Sequence, residues 1–191
     1  MSERENIAPV RFNTRAEWRE WLHENYDRSD GIWFVFPLKS SGETAVSYND
    51  AVEEALCFGW IDSTIRSFDK DHKIQRFSPR RPRSTYSQSN KERLKWLSDN
   101  GLIHATVMDS VSKVLSEEFI FPADILEAVG SDATVRKNFQ QFSDPYKRIR
   151  VAYIDAARIR PDEFRKRLNN FIEKTRKGEL VRGYGGIDKY Y

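Results

Sequence analysis

Ile32 to Leu38 reads IWFVFPL, apolar at nearly every position. A run this short, β-branched and aromatic, ended by Pro37, predicts a strand covered on both faces. A chain containing such a strand must supply other elements to cover it. That points to a layered fold of sheet and helices.

The flanks supply them. Thr14 followed by Glu17 is a T-x-x-E capping box opening a helix whose apolar face is Trp18, Trp21 and Leu22. SGET, Ser41 to Thr44, is a turn, and Ser47 with Asp50 starts a second helix through Val52, Ala55 and Leu56 that Gly59 stops. From Trp60 the pattern alternates, and FDKDH separates it from a second alternating run around Ile74 to Ser78, so an antiparallel hairpin is expected. The prolines and hydroxyls of PRRPRSTYSQ predict a loop, and Ser89 with Glu92 predicts the cap of a third helix through Leu94, Trp96 and Leu97. Val107, Met108, Val111, Val114 and Leu115 have helical spacing and mark a further amphipathic helix.

Beyond Phe119 the sequence reads as helical throughout. Helices are expected from Pro122, over Val135 to Phe142, through Ile149 to Ala157 after Asp144 and Pro145, and from Pro161 to Gly178. The fold class is therefore α+β: a small, mainly antiparallel sheet with flanking helices over residues 1–117, and a helical module over 118–182. Residues 183–191, rich in glycine and tyrosine, form a tail that is mobile or docked through its tyrosines.

Charge is distributed unevenly. Residues 1–72 carry 8 basic and 14 acidic side chains, residues 73–95 carry 8 and 1, residues 96–135 carry 1 and 7, and residues 136–182 carry 14 and 6. The balances of −6, +7, −6 and +8 neutralise one another in the fold or jointly face an anionic partner. The single cysteine, Cys57, rules out an internal disulfide and a thiolate-rich zinc site and suits a small core residue in a reducing compartment. No apolar run approaches the roughly 20 residues of a membrane helix, and MSERENIAPVRF lacks a signal peptide's apolar core. A cytoplasmic protein without membrane insertion is the expectation.

Two motifs carry a resemblance. EALCFGWID followed by QRFSPRRPRSTYSQSNKERL, together with FQQFSDPYKRIRVAYIDAAR and EFRKRL, resembles the YdeI/OmpD-associated family, also called bacteriocin-protection proteins. The resemblance departs at Tyr86, where the family usually has tryptophan, and at Phe164, where threonine is common. It implies involvement in resistance to antimicrobial peptides or in envelope stress. It implies no reaction.

The residues best suited to chemistry are Arg76, Arg80, Arg81 and Arg83 beside Ser84, Ser87, Asn90 and Lys91. Guanidinium forks, hydroxyls, an amide and the start of a helix are what an anion site requires. Trp60 and Tyr86 offer rings for stacking and Asp62 a carboxylate to orient an arginine, provided the hairpin register places them with Arg76. Against this stands a structural role in which the arginines pair with acids of the first segment and the serines cap turns. For Cys57, Phe58 and Gly59 core packing is the simpler role.

No cofactor or metal is implied. His23, His72 and His104 are scattered, none is spaced i, i+4 from another, and no glycine-rich phosphate loop follows a strand. The preferred function is binding of an anionic small molecule or an acidic protein surface through a basic cleft. The alternatives are an unrecognised enzyme using the same cleft and a nucleic-acid-binding protein with basic residues over one broad face.

Overall fold

The structure is a computed structural model that describes residues 8–81, 84–183 and 187–191. Its fold is α+β, with two compact units: Met1–Thr85 with Leu94–Lys113, and Tyr86–Arg93 with Val114–Tyr191. The chain crosses from one to the other three times, between Thr85 and Tyr86, within the helix Gln88–Asp99 and within the helix Met108–Leu115.

In the first unit three strands, β1 (Ile32–Pro37), β2 (Trp60–Ser67) and β3 (His72–Pro79), form an antiparallel sheet in the order β1-β3-β2. Helices α1 (Arg15–Asn25) and α2 (Tyr48–Cys57) precede the hairpin, and α3 (Gln88–Asp99) and α4 (Met108–Leu115) follow it. The caps follow the side-chain chemistry. Thr14 Oγ1 accepts from the Glu17 N–H at 3.2 Å, while the Glu17 carboxylate reaches back to the Asn13 N–H at 2.9 Å. Ser47 caps α2 through the Asp50 N–H, and Gly59, at φ +73°, ends it in the left-handed region. A Cβ on Gly59 would lie 2.9 Å from Val107, so close packing and backbone conformation both favour glycine there.

Strand β1 is buried from Ile32 to Phe36, as its apolar run demands. Phe34 stacks on Phe36 and meets Phe77 of β3 and Trp18 of α1. On the other face the Arg66 guanidinium lies 4.8 Å from the Trp33 ring centroid. The free edge of β1 is closed by Val10, whose N–H and carbonyl bond Trp33 and Val35 at 2.8 and 2.9 Å. Trp18, Trp60 and Phe77 are fully buried, and truncating a ring of this kind to alanine costs about 3–5 kcal/mol.

The second unit contains α5 (Ala123–Gly130), α6 (Ala133–Gln141), α7 (Asp144–Asp155) and α8 (Pro161–Arg176). Asp132 caps α6, Ser143 caps α7, and prolines stand in the first turn of α7 and of α8. Ile125, Val129, Val135, Tyr146, Val151, Ile154 and Phe171 form the core. The chain beyond α8 is docked on it, because the Val181 N–H donates to the Tyr146 hydroxyl at 2.9 Å and Ile187 and Tyr190 are buried. Among the described residues no helix is long and apolar enough to cross a membrane.

Candidate functional site

The hairpin register decides which of the expected site residues share a face. Trp60 lies opposite Pro79, Ile61 opposite Ser78 and Asp62 opposite Phe77. Alternation then puts Trp60, Asp62, Gln75 and Phe77 on the face covered by α1 and α2, and Arg76 and Ser78 on the other.

Trp60 is accordingly a core residue: it is fully buried and its Nε1–H donates to the Tyr26 carbonyl at 3.0 Å. Asp62 accepts from the Tyr48 hydroxyl at 2.8 Å and from Gln75 Nε2 at 2.6 Å. The expectation that Asp62 orients an arginine is corrected by these bonds. The register sends Arg76 to the opposite face, and two neutral donors take its place.

On that opposite face a cleft of about 390 Å³ is lined by Arg76, Arg81, Ser63, Ser78, Pro79 and Asp30. Arg76 donates to the Asp30 carbonyl at 2.9 Å, which fixes one end of its guanidinium. The register shift between Asp62 and Ile65 bends β2 at Ser63. Gly31, at φ +123°, lets the chain enter β1 beside these groups. A Cβ there would lie 2.3 Å from the Phe77 carbonyl oxygen and 2.9 Å from the Arg76 guanidinium. Sequence reasoning missed Asp30, Gly31, Ser63 and Ser78. The signal that was present is the D-G pair just before the apolar run, which marks a turn at the sheet edge.

The remaining expected residues have other positions. Arg80 donates to the Ser84 and Thr85 carbonyls at 3.2 and 2.8 Å, and Ser84 Oγ donates to the Arg81 carbonyl at 2.9 Å, so this pair shapes the loop. Arg83 lies outside the described residues. Tyr86, Ser87, Asn90 and Lys91 belong to the second unit. There Tyr86 is half-buried, Ser87 Oγ accepts from the Asn90 N–H at 3.3 Å, the Asn90 side chain accepts from Arg93 at 3.0 Å, and Lys91 pairs with Glu117. The helix starts at Gln88, so its cap is Ser87 rather than Ser89. Of the expected residues that are described, the cleft gathers Arg76 and Arg81.

The acids of the first segment find partners elsewhere. Glu53 and Glu54 are buried, and Arg15 reaches both and Asp50 as well, while Arg19 bonds Glu54 at 2.6 Å and the Leu102 carbonyl at 3.0 Å. Burial opposes the charge on Arg15, but the bonds to Glu54 and Glu53 outweigh it and raise its pKa. These ions pin α1 to α2. Burial, then the neighbouring Glu54 charge, pushes the Cys57 thiol up to about 12, which removes it as a nucleophile at neutral pH.

His23 and His104 meet around Phe58, with ring centroids 5.6 Å apart and His104 stacked on Phe58 at 5.0 Å. His72 sits between Asp69 and Glu43 at 2.8 and 3.3 Å. Among the described residues no group of three or more histidine, cysteine, aspartate or glutamate side chains is arranged to hold a metal ion.

Residues 10–110 match the family model described as Domain of unknown function (DUF8412). The chain belongs to that family. Residues 118–178, in the helical part of the chain, match a second model, Bacteriocin-protection, YdeI or OmpD-Associated. The FQQFSDPYKRIRVAYIDAAR stretch falls within the second match, whereas CFGWID and the whole basic run fall within the first. Neither the curated proteins nor the solved structures gave a match.

Proposed function

We propose that the chain binds a small anion, or an acidic partner presenting one carboxylate or phosphate, in the cleft of Arg76 and Arg81. The observation that supports this is the convergence of two guanidinium groups and the two serines, Ser63 and Ser78, on one cleft whose single acidic lining residue is Asp30. Guanidinium forks match the planar oxygens of carboxylate and phosphate, and serine hydroxyls add directional donors. Binding is favoured over turnover because, among the described residues, the lining has no histidine, cysteine or lysine to move a proton or attack a substrate. The description of the family model matched by residues 118–178, bacteriocin protection, is compatible with a role in resistance to antimicrobial peptides; a cytoplasmic location and a link to envelope stress are part of the proposal.

Arg81 is exposed and is the residue to remove, because Arg76 also holds the Asp30 carbonyl and Arg80 holds its own loop. A ligand at 100 times its Kd stabilises the folded state by about 2.7 kcal/mol. Thermal denaturation in pyrophosphate and in citrate, against chloride at matched ionic strength, should raise Tm for the natural chain and give most of that rise back in Arg81→Ala. An undiminished rise in Arg81→Ala, or no rise in the natural chain, would refute the site.

A further inference from the structure

The second unit contains a cavity of about 380 Å³, distinct from the sheet cleft and built wholly from α7, α8 and the segment after α8. Arg150, Tyr153 and Ile154 come from α7, spaced i, i+3, i+4, and Glu163, Lys166, Arg167, Asn170 and Phe171 repeat that spacing along one face of α8. Val181 and Arg182 close it. The apolar part is Ile154, Phe171 and Val181, of which the first two are buried. The volume lies at the lower end of the roughly 300–1,000 Å³ typical of small-molecule sites.

Charge separates this cavity from an ordinary packing gap. Arg167 and Glu163 satisfy each other at 2.7 Å, and Arg167 is held further by the Tyr153 carbonyl at 2.8 Å and the Tyr153 ring at 3.8 Å. That pair is neutral and fixed. Three cations remain. Lys166 and Arg182 are exposed and have no ion-pair partner among the described residues. Arg150 is 4% exposed, and its Nη2 bonds the Val181 and Gly183 carbonyls and the Tyr191 hydroxyl. Its nearest carboxylate, on Asp188, is 4.0 Å away, and its Nε is buried with no hydrogen-bond partner among the described residues. A buried cation with so weak a counter-ion is costly unless an anion completes its surroundings.

We propose that this cavity binds a small organic phosphate monoester, with the phosphate between Lys166, Arg182 and Arg150 and the organic body against Ile154, Phe171 and Val181. A dianion suits the unpaired Lys166 and Arg182 together with the weakly paired Arg150 better than a single carboxylate does, and guanidinium groups bind phosphate oxygens in pairs. The apolar side calls for more than inorganic phosphate. This site does not depend on the sheet cleft.

Isothermal titration of the full chain tests it, with phenyl phosphate as probe and inorganic phosphate, benzoate and phenol as comparisons. Phenyl phosphate should bind at least 10-fold more tightly than each of the other three. The double variant Lys166→Ala/Arg182→Ala, which removes two exposed side chains, should lose at least 10-fold in affinity with an unchanged circular dichroism spectrum. Arg81→Ala should bind phenyl phosphate like the natural chain, which separates this cavity from the sheet cleft. Equal binding of phenol or of inorganic phosphate, undiminished binding by the double variant, or loss in Arg81→Ala would each overturn the proposal.

Discussion

Gly31 shows how one residue controls the candidate cleft. At φ +123° a side chain is strained, and a Cβ would also meet the Phe77 carbonyl oxygen at 2.3 Å, a backbone atom that cannot swing aside. Gly31→Ala should therefore destabilise by about 2 kcal/mol or more, the strain of a disfavoured φ plus the clash, read as a lower urea midpoint with unchanged slope. A variant as stable as the natural chain would show that β1 can start differently. Some residues were legible in the sequence for comparable reasons. Gly59 was readable as a helix stop because the apolar periodicity ends at Phe58, and Cys57 was readable as core because a lone cysteine in an apolar stretch has no other use. Arg76 was not, since its face depends on a pairing register that the hairpin sequence leaves open by one residue. Asp62 followed Arg76 into error. The need for a partner was right, and the partner's identity depended on the same register.

At the scale of elements, helix starts were the most legible feature, because a cap is a local bond between residues three apart. Thr14, Ser47 and the prolines at 145 and 161 open helices where their chemistry requires. The start of α3 shifted to Ser87 because Ser87 and Ser89 both precede the apolar face, and the register of that face against its neighbours, including Glu92 against Arg148 at 2.7 and 2.9 Å, is not local. The β2–β3 turn makes a prediction of its own. The hydrogen bond to Asp69, then the charges of Asp69 and Glu43, raises the His72 pKa, while the backbone N–H of Asp71 lowers that of Asp69 and Arg11 lowers that of Glu43. A raised histidine pKa means the folded state holds the proton more tightly. Its stabilisation is complete below the unfolded value of about 6.5 and is lost as pH rises through the folded one. The carboxylates add theirs only above about pH 4.5. The turn should be strongest between about pH 4.5 and 6.5. His72→Gln should accordingly lower Tm most near pH 5.5 and least above pH 8, and a pH-independent difference would show that packing, not charge, is what His72 supplies.

Within each unit, much of the alternating charge balance resolves into local pairs among the described residues. Arg15 and Arg19 are engaged by the acids of α2, and Arg158, Arg167 and Arg176 by acids near them. Composition could not reveal that division, because it records charge totals and not which side chains meet. Its thermodynamic consequence extends across the pH range. Bonds to Arg158, to the Val135 backbone, to Lys147, to Arg167 and to Lys174 lower the pKa values of Asp124, Asp132, Asp144, Glu163 and Glu179 respectively. The unfolded chain then binds more protons in acid, so stability should rise with pH up to about 4.5 and collapse below. At the other end burial raises Cys57 and Tyr191 to about 12, and raises Tyr146 as well. Here the folded state holds protons that the unfolded chain has released, so stability falls with increasing pH, starting near the unfolded cysteine value of about 8.5 and steepening past about 10 as the tyrosines join. Replacing the thiol isolates its share. In Cys57→Ala the fall should begin near pH 10 instead of 8.5, measured as urea midpoints from pH 7 to 11. If the alkaline limbs of the two proteins superimpose, Cys57 ionises in the folded chain as readily as in the unfolded one, and the dry environment assigned to it at the end of α2 is wrong.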